Sequence, residues 1–296
     1  MNVKIKYSFC MFIAASLFCL HAYALEKKIE WTFVQNENAK IFSQGRRQNS
    51  CGYGALLNNL SFGSDEVKRV LDTIEGKTDD DKLSNLANRF DSKKSVQYPD
   101  GGRMRDNGIS ALDLLQDSHE LREGKVSSLL SGECLVRKAD ESQAEMGERI
   151  HRMLLNSVSK NEPPILLIRS ETAHFKPRVH HSAAALIGMK KAFKKSSRWD
   201  AEKGHFVTVI GVPNKVNEDG SFCLDYIDSA IGKRRQLFVY PENRGFLAPI
   251  GVDKNTRWLD DFPYFVVASP SLSLDTEKEK WNERTILFLD FALYGK

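Results

Sequence analysis

The stretch Gln48–Leu57 (QNSCGYGALL) places a cysteine where a polar loop changes into an apolar helix. Cys51 opens that helix, and Asn49 or Ser50 is expected as its N-cap, since these side chains accept hydrogen bonds from the first turn. A helix N-terminus stabilises a thiolate, the reactive form of cysteine, and its N–H groups can hold an oxyanion. The stretch therefore predicts a nucleophilic cysteine on a helix of the N-terminal half. A buried structural cysteine is the alternative.

A second stretch, Gly204–Gly211 (GHFVTVIG), has a histidine directly before an apolar run that is typical of a core strand. A histidine held at the end of a strand suits a general base, so we predict this role for His205. His174 lies in a similar Ala-His-Phe context. It ranks below His205 because no continuous β run follows it and Pro177 comes soon after.

An acid follows the next predicted strand, Phe222–Ile227 (FCLDYI). Asp228 could accept the other imidazole N–H of His205 and so hold the tautomer and orientation of the ring, as the third member of a triad does. Asp225 is the alternative acid, and it lies on the opposite face of the strand because side chains alternate. We therefore predict a Cys51–His205–Asp228 triad, which indicates an acyl-transferring cysteine enzyme.

A glutamine before the nucleophile often supplies a second oxyanion donor in sites of this kind. Gln44 and Gln48 are the two candidates. Gln44 has the length of loop needed to fold back toward the thiol, whereas Gln48 is very close to Cys51 in the chain. We therefore favour Gln44, and an ordinary loop glutamine is the alternative for either.

No metal or nucleotide cofactor is expected. Four histidines occur close together, at His174, His180, His181 and His205. They are not accompanied by an HExxH motif, a CxxC pair or an acidic calcium loop. There is also no Walker loop and no GxGxxG pattern. The formal net charge of +4 is too mild for a dedicated nucleic-acid binder.

The first 24 residues have the pattern of a secretory signal peptide. A positive start with Lys4 and Lys6 is followed by a mostly apolar run, Phe9–Leu20, and by the small-x-small sequence Ala22-Tyr23-Ala24. We expect cleavage after Ala24 and a periplasmic or secreted protein. The apolar run is short for a membrane span, so no stable membrane insertion is expected after cleavage.

Residues 25–296 are long enough for one sizeable domain. Three cysteines remain in this part of the chain. In an oxidising compartment an odd number leaves at least one cysteine unpaired. Cys134 and Cys223 could form a disulfide with Cys51 free for chemistry, or all three thiols could be free.

Helical patterns come first in the chain and strand patterns follow, which favours the α+β class. Residues 171–203 interrupt this order and are interpreted as an insertion between two core strands, with a helical, lysine-rich end. Helices are predicted near 51–60, 64–75, 83–90, 109–121 and 140–157, and strands near 29–34, 165–168, 205–212, 222–227, 234–240, 263–268 and 284–291.

Three stretches resemble the papain-like superfamily, and within it the bacterial double-glycine (bacteriocin-processing) peptidases and their stand-alone secreted relatives. They are residues 49–56, 204–212 and 228–235, in which Ser229 stands where the family usually has proline. The resemblance implies Cys51 as nucleophile, His205 as base and Asp228 as the residue that orients it. It also implies a papain-like fold, in which an N-terminal helical part carries the nucleophile and packs on a C-terminal antiparallel sheet.

The resulting expectation is a secreted or periplasmic cysteine peptidase that cleaves peptide or protein substrates through a thioester acyl-enzyme. Two alternatives use the same triad: a phytochelatin-synthase-like transpeptidase and an amidopeptidase acting on cell-wall peptide. A third alternative is a catalytically silent papain-fold binding module, whose site is blocked by the insertion at 171–203.

Overall fold

The structure is a computed structural model that describes residues 29–45, 49–98, 100–105, 108–174, 198–240, 266–268 and 283–296. The predicted signal peptide, Gln48, His180, His181 and most of the 171–203 insertion lie outside the described residues. For 170–174, 198–203, 266–268 and 283–286, and also for 104 and 105, the structure describes only the backbone.

Five helices are present in the described part of the chain, and each of the five helices predicted outside the 171–203 insertion corresponds to one of them. The helical part predicted within that insertion lies outside the described residues. Polar caps start four of the five helices. Ser64 and Ser110 each accept a bond from a first-turn N–H, and Thr78 with Asp81 and Ser142 with Glu145 form capping boxes. The helices are α1 (Cys51–Phe62), α2 (Asp65–Asp72), α3 (Asp79–Asp91), α4 (Ala111–Arg122) and α5 (Gln143–Ser159).

Helix α3 begins earlier than predicted. The polar stretch Thr78–Lys82 was expected to precede the helix, whereas it contains the N-cap and the first turn. Asp81 accepts backbone bonds from Lys77 and Thr78, and it therefore satisfies donors that a helix start leaves free. A helix start is stabilised by acidic side chains, so a charged first turn with no apolar residue is physically reasonable.

The strands of the described residues form one eight-stranded sheet and one two-stranded sheet, and every pairing among them is antiparallel. The mixture of helices and antiparallel sheet confirms the α+β expectation. The strands are β1 (Trp31–Phe33), β2 (Met104–Arg105), β3 (Gly108–Ile109), β4 (Leu130–Cys134), β5 (Ile165–His174), β6 (Arg198–Pro213), β7 (Phe222–Asp228), β8 (Lys233–Tyr240), β9 (Val266–Ala268) and β10 (Glu283–Gly295).

Six of these strands close into a ring in the order β6, β5, β10, β9, β8, β7 and back to β6. The closing step is the pairing of Thr208 and Val209 on β6 with Ile227 and Tyr226 on β7. This pairing brings the strand that follows His205 beside the strand that ends at Asp228. The ring therefore determines the distance between two of the predicted site residues.

Side-chain alternation along the strands divides the core into two clusters. On β5, Ile165 and Leu167 belong to the cluster that includes α1 and the other early helices. Leu166 and Ile168 belong to a second cluster with apolar residues of α5. Because successive strand residues point to opposite faces, this division follows directly from the period of two.

The strand predictions need correction in several places, and the two-residue strands β2 and β3 were not predicted. Strand β4 was missed, because its sequence Leu-Ser-Gly-Glu-Cys has no continuous apolar run. Strands β5 and β6 are longer than predicted, since pairing continues from Ile168↔His205 to His174↔Arg198. Residues 171–174 and 198–203 are therefore parts of core strands rather than of an insertion.

The fully buried Arg122 joins α4 to α1 and to the chain before β5. Its guanidinium donates to Glu162 (3.0 Å) and to the Asn59 side chain (2.8 Å). Asn59 in turn donates to the carbonyl of Pro163 (2.6 Å). A buried charge is tolerated only when it is paired and hydrogen-bonded, so this cluster holds three segments in one arrangement.

Cys134 and Cys223 are free thiols, on β4 and β7 respectively. The disulfide alternative is therefore not realised, and the three cysteines after residue 24 are all unbridged. In the part of the chain that the structure describes, no helix combines the length and the apolar character needed to cross a bilayer.

Candidate active site

Cys51 is the first residue of α1, as predicted, and its side chain is half-buried. Ser50 occupies the N-cap position, but its hydroxyl makes no capping bond to the first turn. Asn49 has a left-handed backbone (φ 61°), which asparagine adopts more readily than most residues. The N-cap was thus predicted at the right place, although Ser50 does not cap the first turn through its side chain.

Helix α1 is held against β6 by contacts one turn beyond the cysteine. The Thr208 hydroxyl donates to the carbonyl of Ala55 (2.8 Å). A Cβ atom on Gly52 would lie 2.4 Å from Ile109 Cγ2 and 3.4 Å from the Phe206 ring, so only glycine permits this approach. The helix start therefore lies directly beside the strand that carries His205.

The structure brings Cys51, His205 and Asp228 together. His205 Nε2 lies 2.8 Å from Asp228 Oδ1, and the imidazole also forms a hydrogen bond with the Cys51 thiol. Because Nε2 is engaged with the carboxylate, Nδ1 is the ring nitrogen left for the sulfur. His205 is only 5% exposed and Asp228 is fully buried, so the acid–imidazole bond is shielded from water.

The backbone positions the Asp228 carboxylate. Its Oδ1 atom also accepts a bond from the N–H of Ala230 (2.9 Å), which fixes the side chain at the turn between β7 and β8. The alternative acid, Asp225, instead accepts from the Arg234 guanidinium (2.7 Å). Strand alternation therefore selects the acid that reaches the imidazole.

His174, the competing histidine, lies at the far end of β5. It pairs with Arg198, whereas His205 pairs with Ile168, six residues earlier on β5. At about 3.3 Å per residue, this is roughly 20 Å along the strand. Among the described residues, no group of three histidine, cysteine or acidic side chains could hold a metal ion.

The ionisation of the site favours a thiolate–imidazolium pair. Burial favours the neutral thiol, but the hydrogen bond and charge of His205 and backbone bonds from Phe206 and Gly52 outweigh it. The pKa of Cys51 therefore lies below its ordinary 9.0. Burial likewise favours the neutral imidazole. The bonds to Asp228 and Cys51 prevail there, so the pKa of His205 lies above its ordinary 6.5.

Gln44 lies beside the first turn of α1. Its backbone N–H donates to the carbonyl of Ser229 (2.8 Å), and its Cβ is 3.7 Å from the position of a Cβ built on Gly54. Gly54 is one helical turn after Cys51. The Gln44 side chain therefore begins about one helical turn from Cys51, whereas Gln48 lies outside the described residues.

Two residues that the sequence patterns did not assign to the site help to build it. Ser229 is fully buried, and its carbonyl and its hydroxyl contact Gln44 N (2.8 Å) and Cys51 O (3.5 Å). A Cβ atom on Gly54 would lie 2.8 Å from Ser229 Cβ, so glycine is required there as well. The departure from proline at 229 was a visible signal. Asn58, the second residue, is bonded from α1 to the backbone of Phe42, two residues before Gln44. Its sequence pattern did not distinguish it from other polar residues of helices.

Thiol reactivity should differ strongly between Cys51 and Cys223. Burial and the charge of Asp225 raise the pKa of Cys223 to about 11. At pH 7 a thiol of pKa 11 is about 0.01% ionised, and one of pKa below 9 is more than about 1% ionised. We therefore expect iodoacetamide to alkylate Cys51 at least about 100-fold faster than Cys223, as measured by peptide mass spectrometry. Equal rates at neutral pH would contradict the ion pair.

Comparison with protein-family models, with curated proteins and with solved structures finds no match. The chemistry assigned to the site therefore depends on its own geometry. That geometry comprises a thiol at a helix start, an imidazole hydrogen-bonded to it, and a buried carboxylate on the other ring nitrogen. This set can generate a nucleophile, transfer a proton and keep the imidazole oriented.

Proposed function

We propose that this chain is a papain-like cysteine peptidase that is secreted or periplasmic and cleaves peptide bonds through a thioester acyl-enzyme. The observation that carries the proposal is the hydrogen-bonded series from Cys51 through His205 to Asp228. The helical part that holds the cysteine and the antiparallel strands that hold the other two residues agree with this assignment.

In the first half of the reaction, the Cys51 thiolate attacks the carbonyl carbon of the scissile bond. The carbonyl oxygen becomes an oxyanion, which the first-turn N–H groups of α1 and the Gln44 side-chain amide would stabilise. The His205 imidazolium then gives its proton to the amine as the C–N bond breaks. The products of this half are a free amine and a thioester on Cys51.

In the second half, neutral His205 accepts a proton from water as the water oxygen attacks the thioester carbonyl. Collapse of the second tetrahedral intermediate expels the Cys51 thiolate, and the imidazolium is restored. Asp228 holds the ring in the orientation that both proton transfers need. The starting ion pair is regenerated, so no further reactant is required.

Incubation with a library of defined peptides tests the proposal. We expect the purified protein to cleave internal peptide bonds, and acid quenching should trap an acyl group on Cys51 that is detectable by mass spectrometry. Products in which an acyl group has moved to an added amine or to glutathione would instead support the transpeptidase. Slow, ordinary alkylation of Cys51 together with no turnover would reject the enzymatic proposal and favour a binding module.

A further inference from the structure

Residues 40–45, the 40–45 segment, run along α1 in the direction opposite to that of the helix. The Ser61 hydroxyl donates to the carbonyl of Lys40 (2.7 Å) near the end of α1. One turn closer to the helix start, Asn58 bonds both polar groups of the Phe42 backbone. The 40–45 segment is therefore tied to α1 at successive positions that lead toward the nucleophile.

One turn further toward the start of α1, Gln44 lies beside Gly54. The helix positions 61, 58, 54 and 51 are three or four residues apart and hence lie on one face. Gly54 and Cys51 are three residues apart, which is about 4.5 Å along the helix axis. That distance is close to the reach of an extended glutamine side chain. The Oε1 atom of Gln44 is buried and has no hydrogen-bond partner among the described residues.

Asn58 joins α1 to the 40–45 segment through two hydrogen bonds. Its Oδ1 accepts from Phe42 N (2.8 Å), and its Nδ2 donates to Phe42 O (2.9 Å) and to the carbonyl of Gly54 (3.0 Å). The side chain is fully buried, so these bonds do not compete with water. An asparagine amide presents one acceptor and two donors, and here all three roles are used. Any shift of the 40–45 segment along α1 would break two bonds at once.

We propose that Asn58 is a positioning residue for the oxyanion site. By holding the backbone of Phe42, Asn58 determines the register of the 40–45 segment on α1. It therefore also determines the position of the Gln44 amide along the helix axis, relative to Cys51. The inference rests on the proposed acyl-transfer function. Asn58 acts through Gln44 and does not touch the reacting atoms.

The neighbouring Asn59 offers a matched control. It is equally buried on the same helix, but it bonds Arg122 and Pro163 rather than the 40–45 segment. The substitutions Asn58→Asp and Asn59→Asp are isosteric and introduce the same carboxylate. Only the first sets a carboxylate oxygen against the carbonyls of Phe42 and Gly54, which displaces the 40–45 segment.

Steady-state kinetics on a peptide substrate, combined with iodoacetamide alkylation, separates positioning from general damage. A lost oxyanion donor costs about 10²–10³ in rate, so we expect Asn58→Asp to lower kcat by about 10- to 100-fold with KM changed by less than about threefold. Alkylation of Cys51 needs no oxyanion site, so its rate and pH profile should remain those of the wild type. Asn59→Asp should keep kcat within about threefold of the wild type.

A double-mutant cycle shows whether Asn58 acts through the glutamine. In a Gln44→Ala background, Asn58→Asp should lower kcat by less than about threefold, since the group that it positions is already absent. Asn58→Ala, which removes the bonds without adding a charge, should give the same pattern. Undiminished kcat in Asn58→Asp, or a full loss in the Gln44→Ala background, overturns the inference while leaving the proposed function intact. An inactive wild type rejects the proposed function and the inference with it.

Discussion

Replacement of Cys51 by alanine is expected to lower peptide turnover by at least about 10⁴-fold, which is the scale on which triad nucleophiles act. The sulfur is the atom that forms the thioester, and no other described thiol can substitute for it. Cys223 is on β7 with a raised pKa, and Cys134 is on β4, where burial raises the pKa of its thiol as well. Release of product peptides, followed by liquid chromatography, measures the change.

The matched control is Cys223→Ala. This substitution also removes a partly buried thiol, but it leaves the hydrogen-bonded series of the site unchanged. We expect it to retain turnover within about threefold of the wild type, because sites without shared partners act independently. Cleavage that survives in Cys51→Ala at the wild-type rate would show that the activity has another source, and the mechanism would have to be abandoned.

Replacement of His205 by alanine is expected to have the second-largest effect. Proton transfer by a positioned side chain contributes about 10²–10⁴ in rate, and this contribution is lost. The pKa of Cys51 should also rise, because burial would still favour the neutral thiol while the hydrogen bond and the charge of the imidazole are gone. We therefore expect a loss in kcat of at least about 10³-fold at neutral pH.

The pH dependence of alkylation separates the two contributions of His205. In the wild type the ion pair exists above the lowered pKa of Cys51 and below the raised pKa of His205. Without the imidazole, the alkylation profile of Cys51 should move to higher pH, beyond the wild-type midpoint. His119→Ala, which removes a histidine bonded to the Leu130 carbonyl, should leave the profile unchanged. An unshifted profile in His205→Ala would argue against the ion pair.

Asp228 illustrates what a local sequence pattern alone can predict. Strand alternation is sufficient to separate it from Asp225, and the two acids indeed bond different partners, His205 and Arg234. The two acids can be told apart from the sequence because both belong to one short strand, whose side-chain directions follow from its period. The preference for His205 over His174 has similarly local grounds.

Features that depend on neighbours along the chain follow from the amino-acid sequence alone. These are the helix that begins at Cys51, the apolar strands and the order of helices before strands. Helix starts and strand faces are set by hydrogen-bonding groups and side chains only a few residues apart. The predictions were wrong at the start of α3 and at β4, because the sequences there have weak apolar periodicity.

The way in which these elements meet depends on the tertiary structure. The closure of β7 on β6 brings Asp228 to His205, and the packing of α1 on β6 brings both to Cys51. The seating of Gln44 against Gly54 depends on contacts made by Ser229, far along the chain. Such contacts join residues that are far apart in the sequence and follow no periodic pattern. They form only when the core of the whole domain is assembled. The residue types of the candidate site were therefore visible in the sequence, whereas their convergence was a property of the fold.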